Sequence, residues 1–209
     1  MRYVNSVLIA AALLSFSWSA RSAPMLTENF DSSATLPAGW TFTGSASIST
    51  DSAFARSGTN SLNISNLTGP SATTPSLELG FLEGLDATDS VTFSFWWTTD
   101  VHGGAFGRTP FIQYSSDGVN FQQIGTFTVP ANVSSIPAPQ LFSRTLLNDN
   151  FLFTDNSQFR ILGDSSGGGT QAPIFVDDLE VTATPSPSAA IVGLAGIGGL
   201  MLRRRRQGK

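Results

Sequence analysis

Val91-Thr92-Phe93-Ser94-Phe95-Trp96-Trp97-Thr98-Thr99 sets large apolar side chains at every second position. Successive side chains of a strand point to opposite faces. Val91, Phe93, Phe95 and Trp97 therefore share one face, and Thr92, Ser94, Trp96 and Thr98 share the other. One greasy face and one largely hydroxylated face describe a strand of a sheet covered on one side. Working outward, the same kind of short run recurs between turn residues, which is the pattern of a β-sandwich or barrel. Met25 to Phe30 comes first. Trp40 to Ile48 follows the turn Leu36-Pro37-Ala38-Gly39, and Asn60 to Ile64 follows Ser57-Gly58. Ser76 to Phe81, Phe111 to Ser115, Phe121 to Val129, Leu141 to Leu146, Gln158 to Leu162 and Ile174 to Thr182 bring the total to about ten strands. Asp117-Gly118, between two of these runs, reads as a hairpin turn. No segment carries a convincing helical period. Gly167-Gly168-Gly169 lacks the Lys-Ser/Thr and the following helix of a phosphate-binding loop.

The two ends differ from this body. Arg2, the apolar run Val7 to Leu14 and the small residues around Ala20 and Ser22 read as a secretory signal peptide over residues 1–22. Cleavage after Ala23 is the alternative, and an anchor helix that stays in place is the other reading. At the far end, Pro185-Ser186-Pro187-Ser188 breaks the chain. Ala189 to Leu202 is wholly apolar or glycine, and Arg203-Arg204-Arg205-Arg206 follows. The 14-residue span is short for a bilayer crossing. Its arginines belong on the cytoplasmic side. It suits transient membrane insertion better than permanent anchoring.

With both ends set aside, the body from residue 23 to 184 keeps Arg56, Arg108, Arg144 and Arg160 against 15 acidic residues, a formal charge of −11, and no lysine. So acidic a body repels phosphate backbones and argues against a nucleic-acid partner. The chain has no cysteine, so the exported domain must be held by its core rather than by disulfides. About 160 residues suffice for one such core.

Two resemblances add to this reading. Pro185-x-Pro187, the short Gly/Leu-rich span and the arginine cluster resemble the PEP-CTERM protein-sorting tail, which implies an exosortase-type enzyme as processing partner. Ser186 stands where that family usually has Glu. Across about residues 25–183, several elements recur in a familiar order. They are Glu28-Asn29-Phe30-Asp31, Pro37-Ala38-Gly39-Trp40, Ala55-Arg56-Ser57-Gly58-Thr59-Asn60, Tyr114 to Phe121 and Phe175-Val176-Asp177-Asp178-Leu179-Glu180. Together they resemble the jelly-roll sandwiches of the MAM, cleaved-adhesin and carbohydrate-binding-module type. The fold class expected is an all-β jelly-roll β-sandwich. The resemblance also implies a structural Ca²⁺ joining first strand to last. The matching positions are Glu28, Asp31, Asp177 and Asp178, with Asp51 as a further candidate contact; calcium takes six to eight oxygen ligands.

Catalysis finds little support. His102 is the one histidine, no Gly-x-Ser-x-Gly elbow is present, and no pair of carboxylates is spaced for glycoside hydrolysis. The body is expected to be no enzyme. The candidate ligand site is Trp96, on the face opposite the core set, with Gln113 on a strand expected beside it. An aromatic ring with one polar edge can stack on a sugar. The expected function is an exported, non-catalytic surface or matrix module associated with extracellular polysaccharide or the cell envelope. A purely structural or protein-adhesive matrix component, and a divergent glycan-active enzyme, are the alternatives.

Overall fold

The computed structural model describes residues 22–32, 34–64, 70–82, 89–102, 107–163 and 172–184. The expected sorting tail, and all but the last residue of the expected signal peptide, lie outside the described residues. Among those described, no helix is long and apolar enough to cross a membrane.

The body is a jelly-roll β-sandwich of eleven strands. They are β1 (Ala23–Glu28), β2 (Thr41–Thr43), β3 (Ala46–Ser49), β4 (Ser61–Ile64), β5 (Ser71–Thr73), β6 (Ser90–Thr99), β7 (Phe111–Ser115), β8 (Gln122–Thr126), β9 (Gln140–Leu147), β10 (Gln158–Leu162) and β11 (Ile174–Thr184). One antiparallel sheet of six strands runs β3-β4-β11-β6-β9, with β1 beside the C-terminal half of β11. The other, of five strands, runs β2-β5-β10-β7-β8.

The alternation of β6 holds as expected: Val91, Phe93, Phe95 and Trp97 are buried. They meet Phe159, Ile161, Ile112 and Tyr114 of the opposite sheet in one core. The ring of Phe93 stacks on Phe159 with centroids 4.5 Å apart, joining the two sheets at the centre. Trp40 is buried against Phe30, as the apolar start of its run suggests.

Two expectations are corrected, and one strand was not expected. The single run Trp40 to Ile48 is two strands, because Gly44 turns the chain at φ +62° and sends β2 and β3 into different sheets. Ser76 to Phe81 is not a strand. Only Leu77 bridges to Ser157, and the chain then tightens into a 3₁₀ turn at Gly80–Leu82. The strand beside this stretch is instead β5, whose Ser-Ala-Thr has too few large side chains to announce itself.

Candidate functional site

The sandwich has two outer faces, and the candidate residues are divided between them. Trp96 lies on the outer face of the six-stranded sheet. Gln113 lies on the outer face of the five-stranded sheet, pairing with Arg160. The expectation that their strands are neighbours is therefore corrected. Alternation tells which residues share a face of a strand; it does not tell which sheet the strand joins.

The face around Trp96 is strapped. Residues 51–60 cross it between β3 and β4, and carboxylates hold the crossing. Asp177 Oδ2 accepts the backbone N–H of Arg56 at 2.7 Å and of Ser57 at 2.9 Å. Asp31 Oδ1 accepts those of Thr59 at 2.7 Å and Asn60 at 2.9 Å. Gly58 sits between the two anchor points with φ +61°, and a Cβ there would fall on the Asp31 carboxylate. Phe54 stacks flat on Phe175 at 3.9 Å. The Arg56 guanidinium lies 3.9 Å over the Trp96 ring and donates to Asp178 at 2.7 Å. Trp96 is thus half-buried, and Arg56 takes a place a sugar ring would need.

A bulge in β11 makes this geometry. The register against β6 slips between Asp177 and Glu180, and Asp178 takes φ +47°. The extra residue lets Asp177 and Asp178 both reach the strap. Asp177 is only 2% exposed. Burial raises its pKa, against the lowering effect of the N–H bonds from Ser57, Asp178 and Arg56.

The five carboxylates expected around a calcium ion are accounted for one by one. Asp31 and Asp177 hold the strap, and Asp178 pairs with Arg56. Glu28 accepts the Phe30 N–H at 2.8 Å, and Asp51 caps its own 3₁₀ turn through Ala53 N–H. Among the described residues, no three His, Asp or Glu side chains gather to hold a metal. The positive charge these carboxylates meet is that of backbone N–H groups and, at Asp178, of the Arg56 guanidinium.

The other outer face belongs to the five-stranded sheet. Its register sets Thr41, Thr73, Arg160, Gln113 and Gln123 in one row across all five strands. Four inter-strand spacings make this row about 19 Å long. Beside it runs a second row of Thr43, Ser71, Leu162, Phe111 and Thr126. The central side chains Arg160, Gln113, Leu162 and Phe111 are half-buried, and Thr41 and Gln123 are exposed. Arg160 lies 3.8 Å over the Phe121 ring, and its Nε donates to Gln113 Oε1 at 2.7 Å. The five strands contain no Asp, Glu or His. The sequence reading missed Arg160 and Phe121. The available signal was that Gln158 to Leu162 holds one of only four body arginines in a strand without an acidic residue.

This acid-free face has no carboxylate in its strands to donate or accept a proton. His102 lies elsewhere, its Nδ1 2.6 Å from the Asp100 carbonyl oxygen and its Nε2 3.0 Å from that of Pro130. Each ring nitrogen faces a backbone carbonyl oxygen, and a neutral imidazole donates to one of the two.

No model of a protein family matches the chain, and no curated protein matches it. Solved structures do resemble it. The tandem CBM22-1–CBM22-2 domain from Paenibacillus barcinonensis Xyn10C aligns with a TM-score of 0.50 at 12% identity, over 81% of this chain and 48% of that one. The single CBM22-1 xylan-binding domain of the same protein gives 0.49 at 12% identity, over 79% and 97%. The K3 cleaved adhesin domain of Lys-gingipain from Porphyromonas gingivalis gives 0.48 at 12% identity, over 77% and 99%. At such identities the likeness is one of fold.

Proposed function

We propose that this protein is a non-catalytic surface module that binds polysaccharide on the outer face of its five-stranded sheet. The observation that carries the reading is the pair of rows on that face. Sugar rings have hydroxyl edges and apolar C–H faces. A row of hydroxyl, amide and guanidinium groups beside a row centred on Leu162 and Phe111 answers both. On the six-stranded sheet the segment 51–60 lies over Trp96, with Arg56 on its ring. The ends of the chain, read from sequence, extend the proposal. The signal at residues 1–22 exports the domain, and the tail from Pro185 to Arg206 holds it transiently in the membrane until an exosortase-type enzyme releases it at the cell surface.

The test is a pair of variants of the full chain, assayed by affinity electrophoresis against a polysaccharide panel that includes xylan. Gln113→Ala should weaken binding about tenfold, since a polar group in the site is lost, and should leave Tm nearly unchanged. Trp96→Ala should leave binding intact. Loss of binding in Trp96→Ala with none in Gln113→Ala would overturn the assignment.

A further inference from the structure

We propose that Arg160 forms a carboxylate subsite, so that the glycan bound on this face is a mostly neutral chain bearing isolated uronate groups. The inference rests on the reading of the face as a glycan platform and names its ligand chemistry. β10 is the middle strand of its sheet, which puts Arg160 at the centre of the polar row. The guanidinium is fixed before any ligand arrives, with Phe121 on one side at 3.8 Å and Gln113 holding Nε at 2.7 Å. Among the described residues its two terminal nitrogens have no protein partner and it makes no ion pair. Two such N–H groups form the fork that binds a carboxylate through two parallel hydrogen bonds.

The charge distribution makes this exceptional. The body holds 15 acidic residues and four arginines, yet none of the strands around Arg160 supplies a carboxylate. Arg56, on the other face, has its partner Asp178 at 2.7 Å. Half-burial also lowers the pKa of Arg160, a penalty on the cation that an arriving anion would relieve. The same numbers limit the ligand. One cation on a body of charge −11 cannot hold a dense polyanion, because repulsion acts on every carboxylate within a screening length of about 8 Å. Sparse carboxylates on a neutral backbone satisfy both facts.

The experiment compares glucuronoxylan with the same polymer after carboxyl reduction, titrated into the full chain, with polygalacturonate as the dense polyanion. The native polymer should bind about tenfold tighter than the reduced one, the ratio expected for hydrogen bonds to a charged group. Arg160→Gln should erase that difference. Arg160→Lys should restore only part of it, since the charge returns without the fork. Polygalacturonate should bind more weakly than glucuronoxylan. Equal binding of native and reduced polymer, both weakened by Gln113→Ala, would overturn the subsite and leave the glycan platform standing. Tighter binding of polygalacturonate would overturn the sparse-carboxylate ligand. Failure to bind any of the three would overturn the subsite together with the platform. Because the wild-type comparison needs no variant, a poorly folded Arg160 mutant does not prevent a decision.

Discussion

On the outer face of the six-stranded sheet, Asp31, Asp177 and Asp178 meet a strap of backbone N–H groups and one arginine. On the outer face of the five-stranded sheet, strands without a single acidic residue surround an arginine that, among the described residues, has no counter-ion. The first face has spent its charge on itself. Its carboxylates hold down the chain that enters β4, and its tryptophan lies under Arg56. The second, in the proposed function, offers its amide, hydroxyl and guanidinium groups to a glycan. Trp96, the most conspicuous aromatic in the sequence, lies half-buried under Arg56, and the proposed ligand surface is centred on the less conspicuous pair of Gln113 and Arg160.

The sharpest way to break this contrast is at Asp177. Asp177→Ala leaves the Arg56 and Ser57 N–H groups without their buried acceptor. It should destabilise by about 3 kcal/mol, a Tm fall of about 6–12 °C for a domain of this size. Glycan binding at temperatures where the variant is folded should be unaffected. Thermal melts with and without chelator belong in the same experiment. If N–H groups are the partners of these carboxylates, Tm is the same in calcium and in EDTA. A calcium-dependent rise of several degrees would show that Glu28, Asp31, Asp177 and Asp178 rearrange around an ion.

A smaller effect concerns how the five-stranded sheet is held. Beneath it Tyr114 donates its hydroxyl proton to the Leu152 carbonyl at 2.6 Å and lies 2.9 Å from Ser157 Oγ. These are bonds between neutral groups. Burial pushes the Tyr114 hydroxyl up to about 12, with the Ser157 bond pulling the other way. A tyrosine in the unfolded chain ionises near about 10. The unfolded state therefore releases its proton first. The stability tied to this group is complete below about pH 10 and is lost as pH rises towards 12. Tyr114→Phe should cost about 1 kcal/mol at neutral pH and flatten the alkaline part of the Tm–pH curve. An unchanged alkaline slope would place the titrating group elsewhere.

Much of the fold was legible because β6 alternates from Ser90 to Trp97 and because Asp117-Gly118 is a turn whose geometry is local. Gly118 takes φ +72°, and Asp117 Oδ1 accepts the N–H groups of Val119 and Asn120. What was not legible depends on partners distant in sequence. Ser-Ala-Thr of β5 becomes a strand through its neighbours β2 and β10, not through its own pattern. The split of Trp40 to Ile48 rests on one glycine that alternation does not weigh. At the site, the carboxylates were visible as a group near the chain ends, but their occupants were not. Asp177 and Arg56 are 121 positions apart, and nothing local to either announces the bond. The separation of Trp96 from Gln113 is the same kind of fact, since sheet membership is a property of the whole topology.

The division of labour between the faces can be read in one titration of the ¹⁵N-labelled full chain with a glucuronoxylan oligosaccharide. The account predicts shifts at the amides of Phe111 to Gln113, Phe121 to Gln123 and Gln158 to Leu162 and at the Arg160 Nε–H, with the Trp96 indole N–H unmoved. Movement of the Trp96 indole together with Arg56, while Arg160 and Gln113 stay still, would contradict it.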